Sequence, residues 1–315
     1  MDSTAHQSAQ IEVTAIVPAF NEENNIDACA EAICTALESA SAGFELIFID
    51  DGSSDATWQR IEACHRRDDR IKGLRLSRNF GKEAAILAGM ESAKGQAILT
   101  LDADLQHPPG LIPEMIKVWR AGGVHIVDAV KRNRGGEPLL RRLSSRIYNR
   151  LALAVTGVEL ENSSDFKLLD RDVAFALLGM SERRRFYRGM SKWTGFSRAS
   201  VEFDVPSRTA GNSKWTTRGL AWMAWETIVS YSAAPLRIIH VASVSFLVLA
   251  VALSIRAMQL WLTGRAVSGF TTVILLILIL GGLLLFCLAI IAEYIMAIYD
   301  EVKQRPHYLL RDRIE

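Results

Sequence analysis

The sequence predicts an α/β fold: a mostly parallel, Rossmann-like sheet within residues 1–213, followed by a long apolar segment. Two observations support this prediction. First, runs of apolar and β-branched residues of strand length alternate with helical patterns through the first 130 residues. Such alternation builds βαβ units whose strands are parallel and covered on both faces. Second, residues 1–235 are rich in charge, whereas residues 236–300 consist mostly of Leu, Ile, Val and Ala.

The expected elements follow in chain order. Strands are expected at 13–20, 44–50, 71–77, 96–102 and 124–130, and helices at 23–41, 54–67, 82–93 and 111–121. After them come a basic helical segment at 138–157, a short strand at 164–169 and an edge strand at 196–205. Parallel sheets of this kind bind their ligands beyond the carboxyl ends of the strands. The polar residues that follow each strand therefore form the candidate site.

The end of the fourth expected strand carries the sharpest signal. Asp102, Asp104 and Gln106 occupy alternate positions there, and residues two apart in an extended chain point to the same side. Their oxygens are the ligands that hard cations such as Mg²⁺ and Mn²⁺ prefer, often shared with substrate phosphates. A solvated turn after a strand has the same composition, so the metal hypothesis depends on the neighbouring strand ends.

Polar and acidic residues also follow the first two strands. Asn21 and Glu22 come after the first, and Asp50, Asp51 and Asp55 come at the end of the second. Individually these are ordinary turn and helix-capping residues. Three acidic clusters at one sheet edge repel one another, however. The sequence therefore predicts that a metal ion and a cationic ligand-binding loop offset this repulsion.

Two apolar runs near the C terminus predict membrane helices. Residues 270–292 contain no charge over 23 positions, which is long enough for a helix to cross the hydrocarbon core. Residues 238–262 form a second candidate, with Arg256 near one end, where a long side chain reaches the headgroups. A buried core helix is the alternative for each run. The flanks carry more Lys and Arg than the short connecting loop, so the positive-inside rule assigns both flanks to the cytoplasm.

The chain accordingly divides into four parts. They are an α/β domain at 1–213, an interfacial amphipathic helix region at 214–235, two transmembrane helices within 236–299 (about 238–262 and 270–296) and a cytoplasmic tail at 300–315. Residues 214–230 are amphipathic and contain three Trp, which is typical of a helix at a membrane surface, with a buried core helix as the alternative. Gly281 and Gly282 permit close helix packing, and hence a homo-oligomer. The net charge of +1 gives no reason to expect a nucleic-acid partner.

Six short motifs occur in order along the α/β part. They are Val17-Pro18-Ala19-Phe20-Asn21-Glu22, Asp50 to Asp55, Asn79-Phe80-Gly81-Lys82, Asp102 to Pro109, Asp165-Phe166-Lys167-Leu168-Leu169 and Gly211-Asn212-Ser213-Lys214. Together they resemble the GT-A, family 2 glycosyltransferases. Within that family they resemble the polyisoprenyl-phosphate glycosyltransferases, a branch that includes dolichol-phosphate mannose synthase and the bactoprenol glucosyltransferases. The paired apolar runs match the bacterial members of this branch.

The resemblance implies roles for individual residues. It implies that the nucleotide sugar meets Pro18, Asn21, Glu22, Asp50, Asp51, Lys82, Asp102 and Lys214. It also implies that Asp51 faces the base, and that Asp102, Asp104 and Gln106 hold Mg²⁺ or Mn²⁺ against the diphosphate. Asp104, Asp165 and Arg208 are the expected catalytic residues. Arg208 would grip the leaving diphosphate, and Asp165 would act either as a base or by orienting a hydroxyl group.

The acceptor site is the least defined part of the expectation. Relatives usually have Gly-x-Arg after the fifth strand, where this chain has Ala129-Val130-Lys131-Arg132-Asn133-Arg134. A dianionic acceptor phosphate needs cations, and Lys131, Arg132 and Arg146 are the expected ones. The alternative is that the basic helix containing Arg146 only rests on anionic headgroups.

The expected activity is inverting transfer of a hexose onto polyprenyl phosphate by an enzyme integral to the bacterial plasma membrane. Its catalytic domain would lie in the cytoplasm, in contact with membrane lipids. Glucose from UDP-glucose is the expected donor, by analogy with the resembling family. Two other interpretations stay open: a processive polysaccharide synthase with the same catalytic fold, and a non-catalytic membrane subunit that binds a nucleotide sugar.

Overall fold

The computed structural model describes residues 11–131, 164–183, 185–203, 234–263 and 269–315. Within these ranges the helices are α1 (Ile26–Ser39), α2 (Thr57–Arg67), α3 (Lys82–Ser92), α4 (Ile112–Arg120), α5 (Arg171–Leu178), α6 (Tyr187–Trp193), α7 (Ala234–Leu262) and α8 (Phe270–Val302). The sheet, α1–α6 and residues 305–315 make one compact unit, and the two long helices belong to another.

Within the described ranges the sheet has eight strands in the order β7-β5-β6-β4-β1-β2-β3-β8. The strands are β1 (Val13–Ala19), β2 (Phe44–Asp50), β3 (Ile71–Leu76), β4 (Ala97–Thr100), β5 (Ile126–Lys131), β6 (Lys167–Asp170), β7 (Arg198–Phe203) and β8 (Leu310–Ile314). β4, β1, β2 and β3 are parallel to one another, as are β5 and β7. Only β6 and β8 run antiparallel to their neighbours. The expected mostly parallel α/β sheet is confirmed, with β7 at one edge.

Two neighbouring inner strands, β1 and β2, are buried along almost their whole length. Their apolar runs explain this, because a parallel strand is covered on both faces and must be apolar on both. α1, α2 and α4 contribute to one apolar layer, and α3, α5 and α6 contribute to the other. The register pairs Ala19 with Asp50. The loops that leave β1 and β2 therefore start side by side at the carboxyl edge of the sheet.

The fourth strand differs from its expectation in a way that changes the site. β4 ends at Thr100, two residues before Asp102. The chain then turns, and Leu105 adopts a left-handed backbone with φ of 54°. Asp102, Asp104 and Gln106 therefore do not alternate along an extended chain, and the expected reason for their convergence is wrong. Their proximity to the cleft comes from a turn instead.

The C-terminal residues also differ from their expectation as a tail. β8 adds an antiparallel strand to β3, and the Ser77 N–H extends the pairing by donating to the Leu309 carbonyl at 2.8 Å. The Tyr308 hydroxyl donates to the Glu91 carboxylate, and Ile314 packs against the core. The last residues of the chain thus complete the edge of the sheet.

α7 and α8 each contain a segment long and apolar enough to cross a membrane, Val241–Leu260 and Ile279–Val302 respectively. Few of their described residues are buried: the buried share is 0% in the first segment and 6% in the second. A core helix of a soluble domain buries most of its apolar side chains, so the low burial favours a membrane span over a core helix. The expected interfacial helix at 214–230 and the basic segment at 138–157 lie outside the described residues.

Candidate active site

A cleft of about 360 Å³ opens at the carboxyl ends of β1, β2 and β4. It is lined by Pro18, Ala19, Phe20, Glu22, Asp51, Asn79, Gly81, Lys82, Asp102, Ala103 and Asp104. Six of these residues are ones that the sequence predicted for the site. The cleft lies at the sheet edge where parallel α/β sheets bind their ligands.

Hydrogen bonds join the loop after β1 to the loop after β2. The Asn21 N–H donates to Ser53 Oγ at 2.9 Å, and Asn21 Oδ1 accepts from the Ser54 N–H at 2.9 Å. Asn21 has a φ of 55°, a left-handed conformation that Asn tolerates better than most residues. The Glu22 N–H donates to Thr57 Oγ1 at 2.9 Å. In this structure the Asn21 side chain joins two loops, and Glu22 is the member of the pair that lines the cleft.

The two neighbouring carboxylates at the end of β2 have different environments. Asp51 lines the cleft and accepts the N–H groups of Phe80 and Gly81 at 2.7 and 2.9 Å. Burial raises the pKa of Asp51 even though these two N–H groups favour its charged form. Asp50 is fully buried and is not among the cleft-lining residues. The expectation of direct nucleotide contact by Asp50 thus has no support in this geometry, whereas Asp51 is buried but lines the cleft.

A lysine bridges the carboxylates on the opposite side of the cleft. Lys82 Nζ lies 2.5 Å from Asp102 Oδ1 and 2.6 Å from Asp165 Oδ2. Burial works against the charge on Lys82, but the two carboxylates outweigh it and raise the Lys82 pKa.

Asp104 has no ion-pair partner among the described residues, and its Oδ1 accepts the Gln106 N–H at 3.1 Å. Gln106 is exposed and is not one of the residues that line the cleft.

Asp165 is held by a second cation, Arg188, in a bidentate pair. Arg188 Nε lies 2.6 Å from Asp165 Oδ1, and Arg188 Nη2 lies 2.8 Å from Asp165 Oδ2. Burial opposes the charge on Asp165, but the bonds from Arg188 and the charge of Lys82 prevail and hold its pKa well below the usual range. Asp165 is therefore ionised at neutral pH, and its two cations make it a weak base.

Sequence reasoning missed Arg188 and Glu83. Arg188 belongs to a run rich in arginine, which normally indicates a solvated face, so no signal in the sequence distinguished it. Glu83 lies beside Lys82 in the first turn of α3 and accepts the Tyr187 N–H at 2.8 Å. Burial, aided by the charge of Asp165, raises the Glu83 pKa to about 7.

The chemistry of the cleft suits a hard divalent cation. Within the described ranges, no three His, Cys, Asp or Glu side chains gather closely enough to hold an ion by themselves. Asp102 and Asp104 nevertheless line the same cleft and offer only oxygen donors. The Lys82 ammonium group already occupies a position against Asp102, so positive charge is stable there. Mg²⁺ or Mn²⁺ is usually coordinated by one or two carboxylates, with substrate phosphates as further ligands.

The remaining expected residues are not part of the described site. Arg132, Arg146, Arg208 and Lys214 lie outside the described residues. Lys131 is the last residue of β5, and its backbone pairs with Phe203 of β7. The roles expected for these five residues stay predictions.

A mostly parallel sheet with an acidic cleft at the carboxyl ends of its strands is typical of α/β proteins that bind a ligand at this edge. Comparison with known proteins narrows the class: residues 14–186 match the family model described as glycosyl transferase family 2. The chain belongs to this family and is a glycosyltransferase. The family resemblance drawn from the six motifs is confirmed.

Three comparisons illustrate the relationship. The putative glycosyltransferase CsbB of Bacillus subtilis is 38% identical over 302 residues, which is 95% of this chain and 91% of the relative. The bactoprenol glucosyl transferase of Shigella phage SfII is 34% identical, over 96% of this chain and 98% of its own length. Among solved structures, glucosyl-3-phosphoglycerate synthase of Mycobacterium tuberculosis superposes with a TM-score of 0.50 at 18% identity, covering 70% of this chain and 78% of that one. This last likeness concerns the fold alone.

Proposed function

We propose that this protein is a membrane-bound, inverting glycosyltransferase that moves glucose from UDP-glucose onto polyprenyl phosphate. The observation that carries the proposal is the extent of the likeness to the SfII bactoprenol glucosyl transferase. It spans 96% of this chain, so it includes both apolar helices as well as the acidic cleft. A lipid acceptor explains why the two occur together in one chain.

The donor would bind across the cleft. Asp51, whose carboxylate fixes the backbone of Phe80 and Gly81, would receive the base, with Pro18 and Glu22 beside it. The diphosphate would lie towards Lys82 and Asp102. Lys82 bonds both Asp102 and Asp165, so it brings positive charge to the position where the leaving group needs it.

Asp102 and Asp104 would hold Mg²⁺ or Mn²⁺, with Gln106 as a neutral oxygen ligand. When bound, the cation supplies a Lewis acid that stabilises the negative charge on the departing diphosphate. Arg208 and Lys214 would add charge-assisted hydrogen bonds to the same group. The residues of this chain would thus supply cationic and metal-ligating groups around the bond that breaks.

We assign Asp165 an orienting role rather than that of a base. Its carboxylate is bonded by Arg188 and Lys82 and has a lowered pKa, so it has little tendency to take a proton. An acceptor phosphate monoester has a second pKa of about 6 and is largely dianionic at neutral pH, so its oxygen attacks without a base. In-line attack at the anomeric carbon inverts its configuration.

The acceptor defines where the reaction occurs. A polyprenyl phosphate keeps its phosphate at the headgroup level, because each buried CH₂ of its chain stabilises insertion by about 0.8 kcal/mol. α7 and α8 would anchor the enzyme in the plasma membrane, and the flanking Lys and Arg assign the catalytic unit to the cytoplasmic side. Lys131, Arg132 and Arg146 are the cations that we propose for the acceptor phosphate.

Transfer assays with purified protein in detergent test this function directly. Undecaprenyl phosphate, Mn²⁺ and a panel of UDP- and GDP-sugars would be supplied, and lipid products would be analysed by mass and by anomeric configuration. We expect a single β-linked glucose per lipid phosphate from UDP-glucose and no product from Asp104→Asn. A polymeric product would instead identify a processive synthase. Donor binding without turnover, at wild-type purity and stability, would identify a non-catalytic subunit.

A further inference from the structure

The C-terminal strand reaches the donor side of the cleft through one arginine. Arg75 lies on β3, next to β8, and its register partner there is Asp312. Its guanidinium group lies between two carboxylates: Nε is 3.2 Å from Asp50 Oδ2, and Nη1 is 3.7 Å from Asp312 Oδ2. The Trp58 ring covers it, with the ring centroid 5.8 Å from Arg75 Cζ. Arg75 therefore joins β2, β3 and β8 at one point.

Arg75 supplies the counter-charge of Asp50. The Asp50 side chain is 0% exposed, and Arg75 is its only ion-pair partner among the described residues. Neither Asp50 Oδ2 nor Arg75 Nε has a well-aligned hydrogen bond within the described part of the chain. A buried carboxylate that loses its counter-charge is strongly destabilising, because nothing then replaces its hydration. The position of Asp50 is consequently sensitive to Arg75.

Asp50 in turn holds the loops that border the cleft. Its other oxygen, Oδ1, accepts the Ser53 N–H at 2.8 Å, and Ser53 Oγ accepts the Asn21 N–H at 2.9 Å. Glu22, the residue after Asn21, lines the cleft, as does Asp51, the residue after Asp50. A continuous set of contacts thus runs from Arg75 through Asp50, Ser53 and Asn21 to the wall of the cleft, and none of these four residues lines the cleft.

We infer that Arg75 is a positioning residue for nucleotide binding and that β8 completes its site. The inference rests on the proposed function, since the cleft is taken to bind a nucleoside diphosphate sugar. Arg75 neutralises Asp50, which fixes Ser53 and through it the Asn21–Glu22 turn. β8 covers the exposed side of Arg75 and supplies Asp312 as a second, weaker anion. The last strand of the chain is in this way part of the donor-binding apparatus.

The two anions contribute unequally. Asp312 is 45% exposed and lies further from Arg75 than the fully buried Asp50 does. Exposed ion pairs are largely screened by water and contribute little. We therefore expect a large response to loss of the Arg75 charge and a small one to Asp312→Asn.

The test uses the full-length protein and two measurements. The first is amide hydrogen exchange of the segments 19–25 and 51–57 in the free protein, which does not depend on the identity of the donor. The second is the affinity for UDP with Mn²⁺, measured well below the unfolding temperature. Arg75→Met should raise exchange in both segments and weaken UDP binding by about tenfold, with the acceptor KM unchanged. Asp312→Asn should change the affinity by about twofold or less.

The decisive variant is the double substitution Asp50→Asn with Arg75→Met. It removes the buried charge together with its partner, while the Asn carbonyl can still accept the Ser53 N–H. If Arg75 acts by neutralising Asp50, the double variant should recover slow exchange and bind UDP within about threefold of the wild type. Arg70→Met is the matched control: it lies near the opposite end of β3 and pairs with Glu38 and Asp68, so it should change neither measurement.

Two results would overturn the inference. One is unchanged exchange in both segments on Arg75→Met. The other is a double variant that binds UDP as weakly as Arg75→Met or more weakly, which would mean that Asp50 meets the nucleotide itself. A wild-type protein that binds no UDP, but whose Arg75→Met variant still shows raised exchange, would instead refute the proposed donor and leave the positioning role of Arg75 standing.

Discussion

The acidic residues on the two sides of the cleft are held by different kinds of partner. At the end of β2, Asp51 accepts two backbone N–H groups, and Asp50 accepts a third and lies against a largely buried arginine. On the other side, Asp102 and Asp165 are held by the tips of two long side chains, Lys82 and Arg188. Backbone groups cannot move without refolding a loop, whereas Lys and Arg side chains change partners by rotation.

This difference suits different functions for the two sides of the cleft. The β2 side has a fixed hydrogen-bond pattern, which suits recognition of one nucleotide. The β4 side has charges that could be exchanged on binding of the proposed metal ion and diphosphate, which would suit the chemical step. Changes on the β4 side should therefore lower turnover, and changes on the β2 side should lower donor affinity.

The largest effect should come from Asp104→Asn. This change keeps the shape of the side chain but removes a charge from the proposed metal site, so we expect turnover to fall on the order of a thousandfold. Asp102→Asn should also be severe, and Gln106→Ala milder, because an amide is a neutral ligand. Rates measured across a Mn²⁺ titration check this, with the exposed Asp172→Asn as the control. Near-normal turnover of Asp104→Asn at saturating metal would contradict the metal assignment.

Arg188→Met should have the next largest effect. It removes two charge-assisted bonds from Asp165, so we expect turnover to fall by about 10- to 100-fold. It should also raise the Asp165 pKa, which Arg188 and Lys82 hold down against burial. Because the carboxylate is ionised only above its pKa, the acid limb of the pH–rate profile should move to higher pH. An acid limb unchanged from the wild type would show that ionised Asp165 is not required.

On the β2 side, Asp51→Asn should change affinity rather than turnover. The amide oxygen can accept one of the Phe80 and Gly81 N–H groups, but the amide NH₂ opposes the other. We expect donor KM to rise by about tenfold with kcat nearly unchanged. Steady-state kinetics in UDP-glucose at saturating acceptor separate the two parameters. If Asp51→Asn lowered only kcat, the β2 side would act on turnover as the β4 side does, and the proposed difference between the two sides would be wrong.

The smallest effect concerns stability, at Glu83. Its pKa is raised from 4.5 to about 7 in the folded protein, so the folded state binds the extra proton between these values. The stabilisation is fully present below the lower value and is lost as pH rises through about 7. Glu83→Gln keeps an acceptor for the Tyr187 N–H and cannot ionise. We expect the Tm difference between wild type and variant to shift by a few degrees across this range, in favour of the variant at high pH.

The position of the cleft could be predicted from the sequence because strand direction alone determines it. Parallel strands end at the same edge, so the residues after β1 and β2 had to meet, as the pairing of Ala19 with Asp50 demonstrates. The left-handed backbone at Leu105 could not be predicted, since a Leu rarely adopts it, although a turn after the strand was the alternative interpretation of the sequence. The expected extended strand therefore placed Asp102 and Asp104 correctly at the cleft. The structure brings them there by a turn after β4 instead.

The residues that sequence reasoning missed are joined to the site by non-local contacts. Arg188 meets Asp165 through a short helix whose sequence has no strong periodicity. β8 has two arginines and an aspartate among five residues, a composition typical of a solvated tail. Its strand character comes from the free edge of β3 and from the anchoring of Tyr308 and Ile314. Neither feature leaves a local pattern in the sequence.

The return of the chain to β3 also has a consequence for biosynthesis. β8 follows both apolar helices in the chain, so during synthesis the β8 edge of β3 stays unpaired, and Arg75 lacks Asp312, until these helices have been made. Strand pairing across so long a sequence separation is slow to form. The eight-stranded sheet would then be completed only after both apolar helices have been synthesised. A purification tag fused directly after Glu315 would adjoin β8.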